Sequence, residues 1–363
     1  MKTSEYQDYD GVGLAGLLER REVTPVELMQ CAIELARDRG AKLNALCYER
    51  YDESLALAEG WAQKGVFRGI PFLLKDSSLA AKRFPASVGS RLFKDLAFSY
   101  DATLTERFDA AGLIPFSRTT VPEFCMAPTT EAKINGGPAL NPWDLARTTG
   151  GSSGGAAAAL AARIVPIAHG SDGGGSIRIP AASCGVFGLK ASRGVVPAGP
   201  SKGEIWGGLG TDGVLSLSVR DSAMAMDAIG GGEAGAPYAA PARTGGYAQA
   251  LSAKIPAQRI ALWKSAWTGV DMAPECAAAA EHAGRLLQSL GHEVAESPLM
   301  DWDYEAFVQA HYTVLCAQVV ASTDARPGGA GPILAGRRSG KRAARCLSPR
   351  PVDYRRALHR GDQ

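Results

Sequence analysis

The chain has 363 residues, 46% of them hydrophobic and 21% charged, with a formal net charge of +2. That length allows one large domain or two ordinary ones with a sizeable core. The near-neutral balance gives no electrostatic ground for nucleic acid or an acidic membrane as the main partner.

Seven cysteines stand singly, at Cys31, Cys47, Cys125, Cys184, Cys276, Cys316 and Cys346, with no CxxC pair. An odd, scattered set indicates neither a disulfide framework nor a zinc site, so reduced thiols in a cytoplasmic protein are expected. The first ten residues carry Glu5, Asp8 and Asp10 and no apolar run, which is not the pattern of a signal peptide. The weakly polar stretch from Gly154 to Ile167 contains Arg163 and is too short to span a bilayer.

In chain order, residues 1–66 read as helical. Thr24-Pro25-Val26-Glu27 supplies an N-cap, a proline at the first helical position and a capping-box glutamate, and Gly40 marks the end. A second helix is predicted over Ser54–Gln63. From there the texture alternates between short apolar runs and helices. Strands are predicted at Gly69–Leu74, Gly112–Phe116, Ile164–Ala168, Val186–Leu189, Arg259–Trp263 and Glu293–Ala295, with a β-like Val214–Val219. Helices are predicted at Thr103–Ala111, Gly155–Arg163, Pro274–Leu290 and Tyr304–Val319. The alternation predicts an α/β core over 67–325 behind the helical N-terminal segment, residues 1–66. Residues 326–363 carry ten Lys or Arg against two Asp with no amphipathic period, and read as a basic, poorly ordered tail.

Three pieces carry chemistry. Gly150-Gly151-Ser152-Ser153-Gly154-Gly155 opens the Ala-rich helix, where small residues admit a ligand and unpaired N–H groups suit negative charge. Gly173-Gly174-Gly175-Ser176 follows a strand, and three glycines before a serine let N–H groups converge on one point, as an oxyanion hole requires. Lys75 ends the apolar run Ile70-Pro71-Phe72-Leu73-Leu74, where desolvation lowers an amine's pKa and turns a cation into a base. Alone, a strand-end lysine is usually a solvated residue; the two serine blocks reverse that reading. Asp172 and Arg178 flank the loop and read as an ion pair pinning it. His169 reads as a packed or supporting histidine.

Together these pieces resemble the amidase signature family, whose pattern is a GGSSGG run, a spacer, a D-x-G-G-S-[IV]-R-x-P block and an upstream lysine in P-x-x-x-K-D. The match lies at Gly150–Gly155, at Asp172, Gly174, Gly175, Ser176, Arg178 and Pro180, and at Lys75 and Asp76, with Asn141-Pro142-Trp143 ahead of it. The resemblance spans about residues 10–325 and implies a mixed central sheet covered by helices on both faces. It implies an amide hydrolase with Ser176 as nucleophile, Ser152 as relay after a cis peptide, and Lys75 as base. The oxyanion falls to Gly173, Gly174, Gly175 and Ser176, with Ser153 in support. No cofactor or metal is implied, and the partner is a small-molecule amide, with neither nucleic acid nor membrane; a homodimer stays open. Gly173 departs from the larger residue of many members and should widen the pocket.

The stretch His169–Leu189 looks especially like the subgroup that opens cyclic aminohexanoate oligomers. Cys125, Met126 and Cys316 are candidate substrate contacts on that resemblance, Cys316 having a buried apolar role as its other reading. Family members usually run further, so a C-terminally truncated fold is expected, lacking strands of the sheet and some of the substrate funnel. An amide-transfer subunit of a glutamine-dependent amidotransferase, or an inactive truncated member, stays open as an alternative. Two decoys are set aside. Ser153 in Gly151-Ser152-Ser153-Gly154-Gly155 fits GxSxG, but the preceding 141–149 segment is read as no strand. Gly208–Gly213 fits GxGxxG, but leads into a β-like run and not a helix.

Overall fold

The computed structural model describes residues 1–62, 64–242, 244–266, 271–298 and 301–324. One compact unit runs Met1–Ser252 and a second begins at Ala253, within the span read above as one core; the basic 326–363 segment lies outside the described residues. No helix among the described residues is long and apolar enough to cross a membrane.

The N-terminal segment is α1 (Thr3–Tyr6), α2 (Gly11–Glu19), α3 (Pro25–Leu35), the short strand β1 (Leu46–Cys47) and α4 (Tyr51–Glu59). The Thr24 hydroxyl accepts from Glu27 N–H while the Glu27 carboxylate accepts from Thr24 N–H, a complete capping box. The helical path does not stop at Leu35 but widens into a π-turn, Ala36–Gly40. The α/β part then follows as β2 (Ile70–Lys75), α5 (Thr103–Ala110), β3 (Leu113–Thr119), β4 (Leu140–Asn141), β5 (Asp144–Thr148), α6 (Gly154–Ala161), β6 (Ile167–Asp172), α7 (Arg178–Cys184), β7 (Phe187–Gly188), β8 (Thr211–Ser216), α8 (Val219–Ile229) and α9 (Tyr247–Ala250).

Six strands form one sheet in the order β1-β3-β2-β6-β8-β7. β2 is parallel to β3 and β6, whereas β8 runs antiparallel to β6 and β7, and β1 antiparallel to β3. Every residue of β2, β3 and β8 is buried regardless of parity, so both faces of the sheet are covered. β2 and β6 therefore end on the same edge, delivering Lys75 and Asp172 to one place, as parallel strands of open sheets commonly do with their sites. Helix α6 is buried from Gly154 to Leu160, and its glycines and alanines let it lie against neighbouring backbone.

Three expectations change. Residues 144–148 do form a strand, an exposed hairpin arm paired with β4. The apolar alternation at 214–219 ends at Ser216, and Ser218 caps a helix there by accepting from Asp221 N–H. β6 starts at Ile167 and not Ile164, since Pro166 has no N–H to give the ladder. In the second unit, β9 (Arg259–Leu262) and β10 (Glu293–Glu296) pair in parallel around α10 (Pro274–Ser289), and α11 spans Tyr304–Asp324.

Candidate active site

Lys75 is fully buried at the end of β2. Its Nζ donates to Ser152 Oγ at 2.7 Å, to Ser171 Oγ at 2.9 Å and to the Ser171 carbonyl at 3.3 Å. Burial holds the amine below its ordinary range; Cys125 and the Asp212 and Asp172 carboxylates oppose that shift without cancelling it. The backbone is gripped as well. Lys75 N–H donates to His169 Nδ1 at 3.2 Å, and the Lys75 carbonyl accepts from Arg118 Nη1 at 2.8 Å.

Ser152 follows a cis Gly151–Ser152 peptide and is 1% exposed. Thr130 holds this turn from below, its Oγ1 donating to the Gly150 carbonyl at 3.0 Å and accepting from Gly154 N–H at 3.2 Å. Ser153 is fully buried, its hydroxyl 3.5 Å from the Ser171 carbonyl that also meets Lys75. The strand objection to a GxSxG reading fails, because β5 exists. A second fact decides against it: a nucleophile elbow presents its serine outward, and Ser153 is sealed. Ser153 N–H donates to the Ser176 carbonyl at 3.2 Å, which ties the two serine loops together.

Asp172 organises the loop that carries Ser176. Its carboxylate accepts from Gly175 N–H at 2.7 Å, Ile177 N–H at 3.1 Å and Arg178 N–H at 3.3 Å, and from Arg178 Nη2 at 2.8 Å and Nε at 2.9 Å. Burial alone would raise this carboxyl; the Arg178 guanidinium and the backbone donors outweigh it and hold it low. The Gly175 N–H is thereby occupied, whereas Gly173, Gly174 and Ser176 keep theirs out of the loop's hydrogen bonds. Ser176 itself is half-buried, and no hydrogen bond joins its hydroxyl to Ser152.

The family model described as Amidase matches residues 27–345. The chain belongs to the amidase family. The 6-aminohexanoate-cyclic-dimer hydrolase of Paenarthrobacter ureafaciens is 33% identical over 325 residues, covering 88% of this chain and 65% of the relative. This chain thus spans 65% of the length of that curated relative. Among solved structures, a 6-aminohexanoate cyclic dimer hydrolase complexed with substrate is 29% identical with a TM-score of 0.79, covering 95% of this chain and 69% of that one. A bacterial aryl acylamidase of the amidase signature family is 27% identical with a TM-score of 0.85, covering 96% and 74%.

Within this amidase-family site, Cys125 lies beside Lys75, its Sγ 4.0 Å from the Asp76 carbonyl and its thiol pushed up to about 11 by burial, against the pull of Lys75. Met126 follows it, half-buried. Cys316 is buried on α11 in the second unit. Asp76 accepts from the N–H groups of Ser87, Val88 and Gly89, fixing the chain just past the base. Among the described residues no group of three His, Cys, Asp or Glu could hold a metal ion.

Sequence reading missed Arg118, Ser171, Asp212 and Trp206. Arg118 is fully buried and donates to the carbonyls of Lys75, Leu79 and Phe84, a role no local motif announces. Asp212 Oδ1 lies 3.1 Å from His169 Nε2, and its signal was only its register opposite Ser171 on the neighbouring strand. The GxGxxG stretch is a turn closed by an Ile205–Gly210 bridge that runs into β8. Gly173 does not widen the pocket, because the indole of Trp206 fills the space that its side chain would take.

Proposed function

We propose that this chain hydrolyses carboxylic amides, linear or cyclic and outside peptide bonds, through an acyl-enzyme on Ser176. The reading rests on one observation above others: a desolvated amine at position 75 with its Nζ 2.7 Å from the Ser152 hydroxyl. Neutral Lys75 takes the proton of Ser152, Ser152 takes that of Ser176, and Ser176 Oγ forms a bond to the carbonyl carbon while the C=O electron pair moves onto oxygen. A rotation of the Ser176 side chain brings its hydroxyl onto Ser152 when substrate enters, as catalytic contacts often tighten only in the complex.

The oxyanion is met by the N–H groups of Gly173, Gly174 and Ser176, while Gly175 serves the loop by donating to Asp172. One such donor contributes about 3–4 kcal/mol of transition-state stabilisation. Collapse of the tetrahedral species breaks the C–N bond, and the relay run backwards protonates the departing amine. Water activated by the same relay then releases the acid. Lys75 works here because it is buried: an exposed ammonium would stay protonated near neutrality.

Relatives named for a cyclic amide and for aryl acylamides put uncharged amides first among compounds to assay. A fluorophosphonate probe with peptide mass mapping tests the assignment. Labelling at Ser176, lost in Ser176→Ala and strongly slowed in Ser152→Ala and Lys75→Ala, is expected. Labelling at Ser153, or at full rate without Lys75, would refute it.

A further inference from the structure

We infer that Trp206 and Gly173 form a matched pair that selects amides with a flat, apolar acyl group. This rests on the amide-hydrolase reading above, since it names which acyl groups that site accepts.

The topology brings them together. Asp172 at the end of β6 pairs with Thr211 at the start of β8, so the glycine loop leaving one strand faces the 205–210 turn entering the other. That turn is bent inward. Trp206, Gly207 and Gly208 have consecutive positive φ angles of 54°, 60° and 80°, a conformation a bulky residue rarely adopts without need. Arg193 Nε fixes it by donating to the Gly208 carbonyl at 2.7 Å.

The result is an indole laid on Gly173. A side chain begun there would meet three ring carbons, Cε3, Cζ3 at 2.7 Å and Cδ2 at 3.1 Å, so only glycine admits the ring. Gly173 is also one of the residues whose N–H makes no hydrogen bond within the loop, and Trp206 beside it is half-buried. An acyl group whose carbonyl oxygen reaches the loop therefore passes beside an aromatic surface. Aromatic and methylene surface gains by covering that ring, and a carboxylate is repelled by the negative face of the π-system. On this inference the turn supplies an apolar wall beside the loop in exchange for the side chain lost at 173.

The test uses the full chain with benzamide and acetamide, reading the ratio of kcat/KM from ammonia release. Trp206→Ala lowers the benzamide-to-acetamide ratio on the order of tenfold, and Trp206→Phe retains most of it. Gly173→Ala impairs benzamide turnover in the native background and much less in the Trp206→Ala background. An unchanged ratio, or an equal effect of Gly173→Ala in both backgrounds, overturns the inference. Should Trp206→Ala fail to fold, Trp206→Phe and Trp206→Leu carry the same comparison. Calorimetric titration of benzamide into Ser176→Ala protein, with and without the Trp206 change, reads the wall without turnover. A native chain that binds benzamide more tightly than its Trp206 variant, yet releases no ammonia from either amide and takes no fluorophosphonate at Ser176, refutes the proposed function and leaves the wall standing. A native chain that does not bind benzamide overturns the wall.

Discussion

His169 accepts the backbone N–H of Lys75 on Nδ1 at 3.2 Å and faces Asp212 Oδ1 with Nε2 at 3.1 Å, so the imidazole links the strand bearing the buried amine to the strand beyond it. Acceptance at Nδ1 assigns the hydrogen to Nε2, a neutral tautomer that donates to Asp212. Protonation would set Nδ1–H against Lys75 N–H. Burial lowers the His169 pKa from 6.5, with Asp212 opposing and Lys75 and Arg118 adding to the shift. The site is thus braced by a histidine that must stay uncharged.

The brace predicts a graded response. His169→Leu leaves the buried Lys75 N–H and the Asp212 carboxylate without this partner, at about 1–3 kcal/mol for the unpaired group. We expect a lower melting temperature and a fall in kcat of tenfold or more with little change in KM. His169→Asn places an amide near the Nδ1 position and should recover some of kcat. Equal kcat values for the two variants would show that the Lys75 contact is without consequence. In the native chain a lowered histidine pKa means the unfolded state binds more protons. This contribution to stability is full above about pH 6.5 and is lost as pH falls through the folded value.

Lys75 itself sets a second pH signature. Its pKa is lowered from 10.5, chiefly by burial, and the proposed relay needs the neutral amine. The rate, kcat/KM for an uncharged amide, should therefore rise with pH and level off at an inflection below 10.5. Lys75→Arg should be inactive across the range, because a guanidinium does not deprotonate. An inflection at or above 10.5 would mean that the amine is solvated, contrary to its burial.

Asp172 and Arg178 share an ion pair but differ in burial: the Arg178 side chain is 53% exposed and that of Asp172 is fully buried. Removing Arg178 costs an exposed partner, about 1 kcal/mol or less after solvent screening. Removing Asp172 frees the buried N–H groups of Gly175 and Ile177 and unpins the loop. Arg178→Ala should keep most activity, whereas Asp172→Ala should lose at least a hundredfold in kcat along with stability. Denaturant melts and amide turnover on the same preparations check this. Comparable losses in both would contradict the loop's anchoring on the carboxylate's backbone contacts.

The residues of the candidate site were more legible than the scaffold that holds them. Ser152, Ser176 and Lys75 announce themselves because glycine runs and a strand-end lysine are local patterns. The capping box at Thr24 and Glu27 is equally local. Arg118, Asp212 and Trp206 act across strands or turns, and their partners sit 43, 43 and 33 positions away in sequence for Lys75, His169 and Gly173. Such contacts depend on register, which a single chain does not display. Helix α8 was hidden because Val214, Leu215, Leu217 and Val219 alternate like a strand, while the Ser218 cap that breaks the pattern is a single residue.

The close packing of α6 gives the sharpest stability prediction. An added methyl at Gly155 would lie 2.6 Å from Thr120 N and the Ala45 carbonyl oxygen and 2.7 Å from the Thr120 carbonyl oxygen. All three are backbone, so neither rotamer change nor a flexible tip relieves the contact. Overpacking of a core typically costs about 1–3 kcal/mol, and rigid neighbours put Gly155→Ala at the upper end. The helix would move away from β3, taking with it the turn that carries Ser152, three residues upstream. Gly60→Ala is the control: Gly60 has φ −88° at the end of α4, and its nearest neighbour to such a methyl is 4.0 Å away. We expect Gly155→Ala to lower both the denaturation midpoint and the rate of fluorophosphonate labelling at Ser176, with Gly60→Ala neutral in both. A Gly155→Ala chain with native stability and native labelling would mean that α6 does not set the position of Ser152.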